Sequence, residues 1–152
     1  HGSTPSGVVG SILRLTYLTL DYIFGYWLKI RPIIAKQPAI ILFDRYAYDM
    51  ALDPRRFRIG LSGHVASWFA ALAPKPDLIF CLYAKPEVLL KRKHELSKEE
   101  VIRQVSELKY SAKQKPNIVL MSTEMSIEDT MNQLFSSLYN FLFIKYQNKK
   151  NK

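Results

Sequence analysis

The sequence predicts an α/β fold built on a parallel sheet. Three short apolar runs, at residues 39–43, 77–83 and 117–121, are separated by segments of helix length. Unbroken runs of this kind read as strands buried on both faces, and strands alternating with helices argue for parallel pairing. The first run ends in Asp44-Arg45-Tyr46, with Tyr48 and Asp49 just beyond. In an open parallel sheet, strand carboxyl ends border the crevice where ligands bind.

The elements follow in order. Residues 1–10 form a Gly/Ser/Pro-rich lead expected to be flexible. Residues 11–36 read as one long helix, because Ile12, Leu15, Leu18, Tyr22, Tyr26 and Ile30 recur at three- and four-residue steps. Its other faces carry Leu13, Leu20, Phe24 and Trp27, so it needs wide cover from the domain or a partner. Pro32 should kink it, and Pro38 should end it before the 39–43 strand. A basic loop at 53–58 carries Arg55, Arg56 and Arg58, and a helix over 63–73 stops at Pro74-Lys75-Pro76. After the 77–83 strand, Pro86 suits the first turn of a helix to 94. Ser97 with Glu100 is a capping box for a helix to 114. Pro116 precedes the 117–121 strand, and Ser126 with Asp129 opens a last helix to 146. A domain over 11–146 is therefore expected, with a basic tail at 147–152.

Composition narrows the class. The 152 residues are 48% hydrophobic and 23% charged, which excludes wholesale disorder and suits one domain. The net charge of +9 suits an anionic partner, although Lys145, Lys149, Lys150 and Lys152 read as a solvated end. Cys81 is the only cysteine, which rules out an intrachain disulfide and makes the cytoplasm the expected compartment. The apolar stretch at 15–28 is interrupted by Asp21 and, at fourteen residues, falls short of the roughly 20 a spanning helix needs. It reads as a core helix rather than a membrane span.

Several residues have both a chemical and a structural reading. Asp44 can hold magnesium and Arg45 can fork onto phosphate, or the two can close a strand-end salt bridge or cap a helix. Tyr17, Tyr22 and Tyr26 lie at helical spacing, as core side chains or as stackers on a nucleotide. Arg92 and Lys93 are either a solvated helix end or cations for phosphate. Asp21 sits among aromatics and needs a partner or water. His64 and His94 lack metal-ligand spacing.

The Asp44-Arg45-Tyr46 strand end, the strand Pro76-Asp-Leu-Ile-Phe-Cys-Leu-Tyr83 and the segment Pro86-Glu-Val-Leu-Leu-Lys-Arg-Lys-His-Glu95 stand in that order. Together they resemble the thymidylate kinase family of P-loop nucleoside monophosphate kinases. The resemblance covers about residues 20–143. It implies a three-layer α/β/α P-loop kinase-like fold and ATP- and Mg2+-dependent phosphorylation of a nucleotide such as dTMP. It assigns Asp44, Arg45 and Arg92 to catalysis, with Asp44 serving the magnesium. Lys93 in a lid-like segment and Ser122 with Thr123 beside adenine would bind ATP. Asp21, Tyr22, Tyr46, Tyr48 and Asp49 would line the acceptor site; by their charge, Arg55, Arg56 and Arg58 beside it are either a grip on an anionic acceptor or a surface loop. The long aromatic helix would serve as a homodimer surface, and no nucleic acid partner is implied.

One departure limits this. The family's G-x-x-x-x-G-K-[ST] loop, which cradles ATP phosphates, is absent, and Ser6-Gly-Val-Val-Gly10 lacks the lysine. In the family that loop follows a strand lying between the Asp-Arg strand and the next. The chain opens on His1 rather than Met, so an upstream P-loop portion is expected, and these residues alone should be nearly inactive. The competing readings are a non-catalytic binding or assembly module with a basic surface, and a peripheral membrane protein seated by the aromatic helix.

Overall fold

The computed structural model describes residues 4–92 and 96–150. The chain forms two compact units, His1–Pro76 and Asp77–Lys152. It is a mixed helix and strand protein whose described sheet has two parallel strands.

The first unit is helical. Helix α1 (Val8–Gly25) runs through a widened π turn (Tyr26–Ile30) into α2 (Arg31–Lys36). The turn has a physical cause. Pro32 has no N–H, and its ring crowds the carbonyl one turn back. The helix relieves this by widening, so that the Arg31 N–H reaches the Tyr26 carbonyl five residues away. The kink expected at Pro32 thus becomes a bulge before it. By length and composition, the helical run Val8–Lys36 is apolar enough to cross a membrane, with mean hydropathy 1.2 over its best window. That run of 29 residues is longer than the 15–28 stretch suggested.

Helix α1 begins at Val8, inside the stretch expected to be a flexible lead. Ser11, fully buried, holds that lead down. Its hydroxyl donates to the Ser6 carbonyl at 3.1 Å and accepts from the Gly60 N–H at 2.9 Å. The Ser6 N–H donates to the Arg58 carbonyl at 2.9 Å. The core of this unit joins Leu15 to Ala47, Met50, Ile59, Ala66, Ala70 and Ala73. Ala66 and Ala70 lie one turn apart on α4 (Gly63–Leu72), where their small side chains let α1 approach. Thr19 adds a bond from its hydroxyl to the Phe69 carbonyl at 3.4 Å.

The 39–43 run is not a strand. It is irregular and exposed, with Leu42 84% accessible. A strand exists only where its N–H and C=O groups meet a neighbouring ladder. Among the described residues the only ladder lies in the second unit. The three expected strands are therefore two. Beyond the run come α3 (Asp49–Leu52) and a 3-10 turn (Pro54–Phe57), capped by the Asp53 carboxylate accepting from the Arg56 N–H.

In the second unit β1 (Ile79–Tyr83) pairs in parallel with β2 (Ile118–Ser122), with Ile79 opposite Ile118 and Tyr83 opposite Ser122. Helices α5 (Pro86–Arg92) and α6 (Lys98–Gln114) make the crossover. The Ser97 hydroxyl caps α6 by accepting from the Glu100 N–H, but the Glu100 carboxylate turns forward to Arg103 at 2.7 Å. Val101 and Val105, one turn apart, bury the inner face of α6. Helix α7 (Ile127–Lys150) opens on Ser126, whose hydroxyl accepts from the Asp129 N–H at 3.0 Å. It absorbs residues expected to form a tail, and Lys145 pairs with Asp77 at 2.7 Å.

The close approach of the lead to Gly60 can be tested. A Cβ at Gly60 would stand 2.6 Å from the Ser6 carbonyl oxygen, and backbone cannot yield as a side chain does. Gly60→Ala is expected to cost about 1–3 kcal/mol, read as a lower urea midpoint at unchanged slope.

Candidate functional site

The chemistry-bearing residues gather in two places, one in each unit. In the first, a turn from residue 44 to 49 feeds directly into α3. Tyr46 fixes it. Its hydroxyl donates to the Pro74 carbonyl. Its ring meets Tyr22 at 4.9 Å, Phe43 at 5.3 Å and Tyr48 at 6.1 Å. Burial, and then the neighbouring tyrosines, push the Tyr46 phenol up to about 12. It stays neutral near pH 7 and holds the turn, and its hydroxyl is already spent on Pro74. Burial likewise raises the Tyr48 phenol, and burial followed by the charges of Asp49 and Asp21 raises that of Tyr22.

With Tyr46 anchored, Arg45 takes a left-handed backbone conformation, φ 70°. Non-glycine residues rarely adopt it, and such strain collects at functional sites. The guanidinium comes to 3.9 Å from the Asp49 carboxylate and remains half exposed. Burial is the first influence on Asp49 and raises its carboxyl. Arg45 and Arg56 pull it back down, while Asp53 and Asp44 add to the rise. Asp44, Arg45, Asp49, Asp53 and Arg56 are thus electrostatic neighbours beside a wall of tyrosine rings. Aromatic faces next to exposed arginines suit a ligand with a ring at one end and a phosphate at the other.

The remaining predicted acceptor residues are less involved. Asp21 is exposed on the flank of α1, and Arg55 is exposed on the 3-10 turn. Tyr17 is exposed, whereas Tyr22 packs against the core. Asp53 was not singled out by the sequence, although an acid before Pro54-Arg55-Arg56 is a capping signal. A separate shallow groove lined by Ile12, Leu61, His64, Val65, Trp68 and Phe69 contains none of the predicted site residues.

In the second unit, the cluster lies at the carboxyl ends of the two parallel strands. The Arg92 guanidinium donates to the Thr123 hydroxyl at 3.2 Å and to the Thr123 carbonyl at 2.8 Å. The Thr123 N–H reaches back to the Tyr83 carbonyl at 2.8 Å, tying this loop to β1. Ser122 accepts from the Glu124 N–H at 3.3 Å. The Glu124 carboxylate takes the Lys85 N–H at 2.9 Å and lies 3.4 Å from its ammonium. The Lys85 N–H bond, foremost, holds the Glu124 carboxyl below its usual range. Arg92, Ser122 and Thr123 are thus brought together, while Lys93 lies outside the described residues. Lys85 and Glu124 were missed by sequence reading; their positions just past two apolar runs were the available signal.

Among the described residues, no three His, Cys, Asp or Glu side chains are placed to hold a metal. Comparison with known proteins finds no matching family, no matching curated relative and no matching solved structure.

The buried carboxylate gives a pH test. Burial raises the folded-state pKa of Asp49 above its unfolded value, so the native state binds the proton more tightly. That contribution is fully present below the unfolded pKa and is lost as pH rises through the folded one. Asp49→Asn is therefore expected to be the more stable protein near pH 7. Its advantage should vanish below roughly pH 4. Urea midpoints of both proteins across that range check the sign.

Proposed function

We propose that this chain carries the acceptor-side half of a thymidylate-kinase-type phosphotransferase, with a nucleoside monophosphate held at the Asp44–Asp49 turn. The observation that carries this reading is the pairing of a strained, half-exposed Arg45 with a burial-raised Asp49 beside the tyrosine rings. Phosphoryl transfer needs positioned cations and excluded water more than covalent help from the protein. Arg45 and Arg56 would hold the acceptor phosphate, the rings of Tyr22 and Tyr48 would flank the base or sugar, and Asp49 would orient Arg45. Arg92, with Ser122 and Thr123, would serve the donor nucleotide in the second unit.

The residues fit the two implied cofactors unequally. Magnesium commonly takes one or two carboxylates and completes its shell with phosphate oxygens and water, so Asp44 suits it when phosphate is bound. ATP fits less well, because no residues here form the glycine-rich cradle for its phosphates. The full three-layer α/β/α fold belongs to this same proposal. So does reading Val8–Lys36 as a helix of the domain rather than a membrane span, which Arg14 and Asp21 within it support.

A second reading has its own support. The exposed apolar run at 40–43 leaves strand-forming residues unpaired, as an assembly module awaiting another strand would.

Calorimetric titration with dTMP and with thymidine separates these. The phosphorylated ligand should bind and the nucleoside should bind far more weakly. Arg45→Gly suits the left-handed backbone without strain, so it should keep or slightly raise stability, by up to about 1 kcal/mol. It should nevertheless weaken dTMP binding at least tenfold, about 1.4 kcal/mol. Equal affinity for the two ligands, or no effect of Arg45→Gly, would remove the acceptor reading. An anionic polymer bound with a steep salt dependence and indifferent to Asp44→Ala would favour the assembly module instead.

A further inference from the structure

Helices α1 and α4 lie side by side and run the same way. The Ser11 hydroxyl takes the Gly60 N–H near their starts, and the Thr19 hydroxyl reaches the Phe69 carbonyl near their ends. Between them lies the shallow groove of Ile12, Leu61, His64, Val65, Trp68 and Phe69. Apolar surface continues on both sides of it. At about 100° per residue, Val9, Ile12, Thr16, Leu20 and Trp27 fall within an arc of roughly 80° on α1. Val65, Trp68 and Leu72 form the exposed stripe of α4, at steps of three and four residues. Val9 is 72% and Trp68 61% exposed, so the unit leaves this face open. Thr16 and His64 are its polar members, and it carries no carboxylate, lysine or arginine.

The charges of the two helices stand apart from this face. Asp21 and Arg14 fall about 100° and 120° beyond the arc, on the far flank of α1. Because the helices are parallel, their carboxyl ends share one edge. Past that edge come Lys29, Arg31 and Lys36 from one helix and Lys75 from the other, all exposed. No acidic residue occurs between 22 and 43 or between 54 and 76. Trp27 is 55% exposed at the same edge, with the Arg31 guanidinium 5.0 Å above its ring.

We propose that this two-helix face docks on the surface of an anionic phospholipid bilayer, with α1 and α4 lying in the plane of the interface. A broad, shallow and uncharged face matches the boundary between acyl chains and head groups. Apolar side chains enter it, while indole rings and basic side chains stay at head-group level. The edge of cations without carboxylates selects anionic lipid over neutral lipid. Lying flat also suits the remaining charges better than spanning would. Arg14 and Asp21 then turn toward water, whereas a spanning helix would immerse them in acyl chains. Tyr22 lies on the core side of α1, so the inference stands whether or not the acceptor turn binds a nucleotide.

Co-sedimentation of the full chain with large unilamellar vesicles tests this, using phosphatidylcholine alone and with about one third phosphatidylserine. The mixed vesicles should bind at least about tenfold more tightly, and added salt should weaken that binding. Tryptophan emission should shift to shorter wavelength on binding. Trp68→Glu and Val9→Glu should each weaken binding about tenfold or more. Both positions are exposed, and an acid in the first turn of α1 favours the helix, so far-ultraviolet helicity should hold. Arg31→Gln should cost about fivefold, and Arg14→Gln, the same charge change on the far flank, less than about twofold. Equal losses from these two changes would leave only net charge and overturn the proposal. No binding to mixed vesicles, or binding indifferent to Trp68→Glu and Val9→Glu, overturns it as well. A lipid-free dimer that Trp68→Glu dissociates in sedimentation velocity would assign the face to a second copy and also overturn it.

Discussion

The placement of Tyr46 governs the geometry of the first unit's site. Its hydroxyl is tied to the Pro74 carbonyl, 28 residues along the chain, and its ring stands among Tyr22, Phe43 and Tyr48. One side chain thus ties the helix carrying Tyr22, the turn carrying Arg45 and the segment leaving α4. A residue held only by its own turn would relax out of a left-handed conformation, since that conformation costs roughly 1–2 kcal/mol for a side chain with a Cβ. Arg45 can stay there because the next residue along is pinned. The guanidinium consequently stays beside Asp49 rather than ranging over the surface.

The charges around this turn oppose one another in a way that favours an anionic ligand. Asp49 lies in a half-buried position that disfavours its charge, and two arginines offset that penalty. An incoming phosphate would compete with Asp49 for the same guanidinium groups. It would meet an acid already biased toward protonation. The chain's excess of positive charge, +9 overall, provides long-range attraction, while the local arrangement decides where an anion comes to rest. The acidic residues at 44, 49 and 53 keep the turn from being a simple basic patch.

Much of this was legible in the sequence wherever the determinants are local. The capping hydroxyls of Ser97 and Ser126, the breaks at Pro74 and Pro76 and the two buried-type runs at β1 and β2 all follow from neighbours within a few residues. Arg92 meeting Thr123 was not legible, since 31 residues separate them and no local pattern links the two. The 39–43 run misled for a different reason. Its residue types suit a strand, but whether a strand forms depends on a neighbouring ladder that composition does not reveal. The bulge before Pro32 could be expected as a disturbance but not as a π turn, because proline fixes where the helix must yield and not how.

The two exposed apolar segments of the first unit carry unequal costs, and backbone accounting separates them. Helix α1 satisfies its own N–H and C=O groups, so its open face forfeits only apolar contact. It can exist alone and still gain from a partner. The 40–43 run exposes side chains and also lacks ladder partners for its backbone among the described residues. Such a segment gains more from pairing, and pairing would fix the alternation of its side chains. The Asp-Arg pair follows directly after it, yet the pair's geometry is set from the other side, through Tyr46. The site can therefore keep its shape while the run leading into it remains unpaired. A strand added there would change what lies upstream of Asp44 without having to build the turn that displays Arg45.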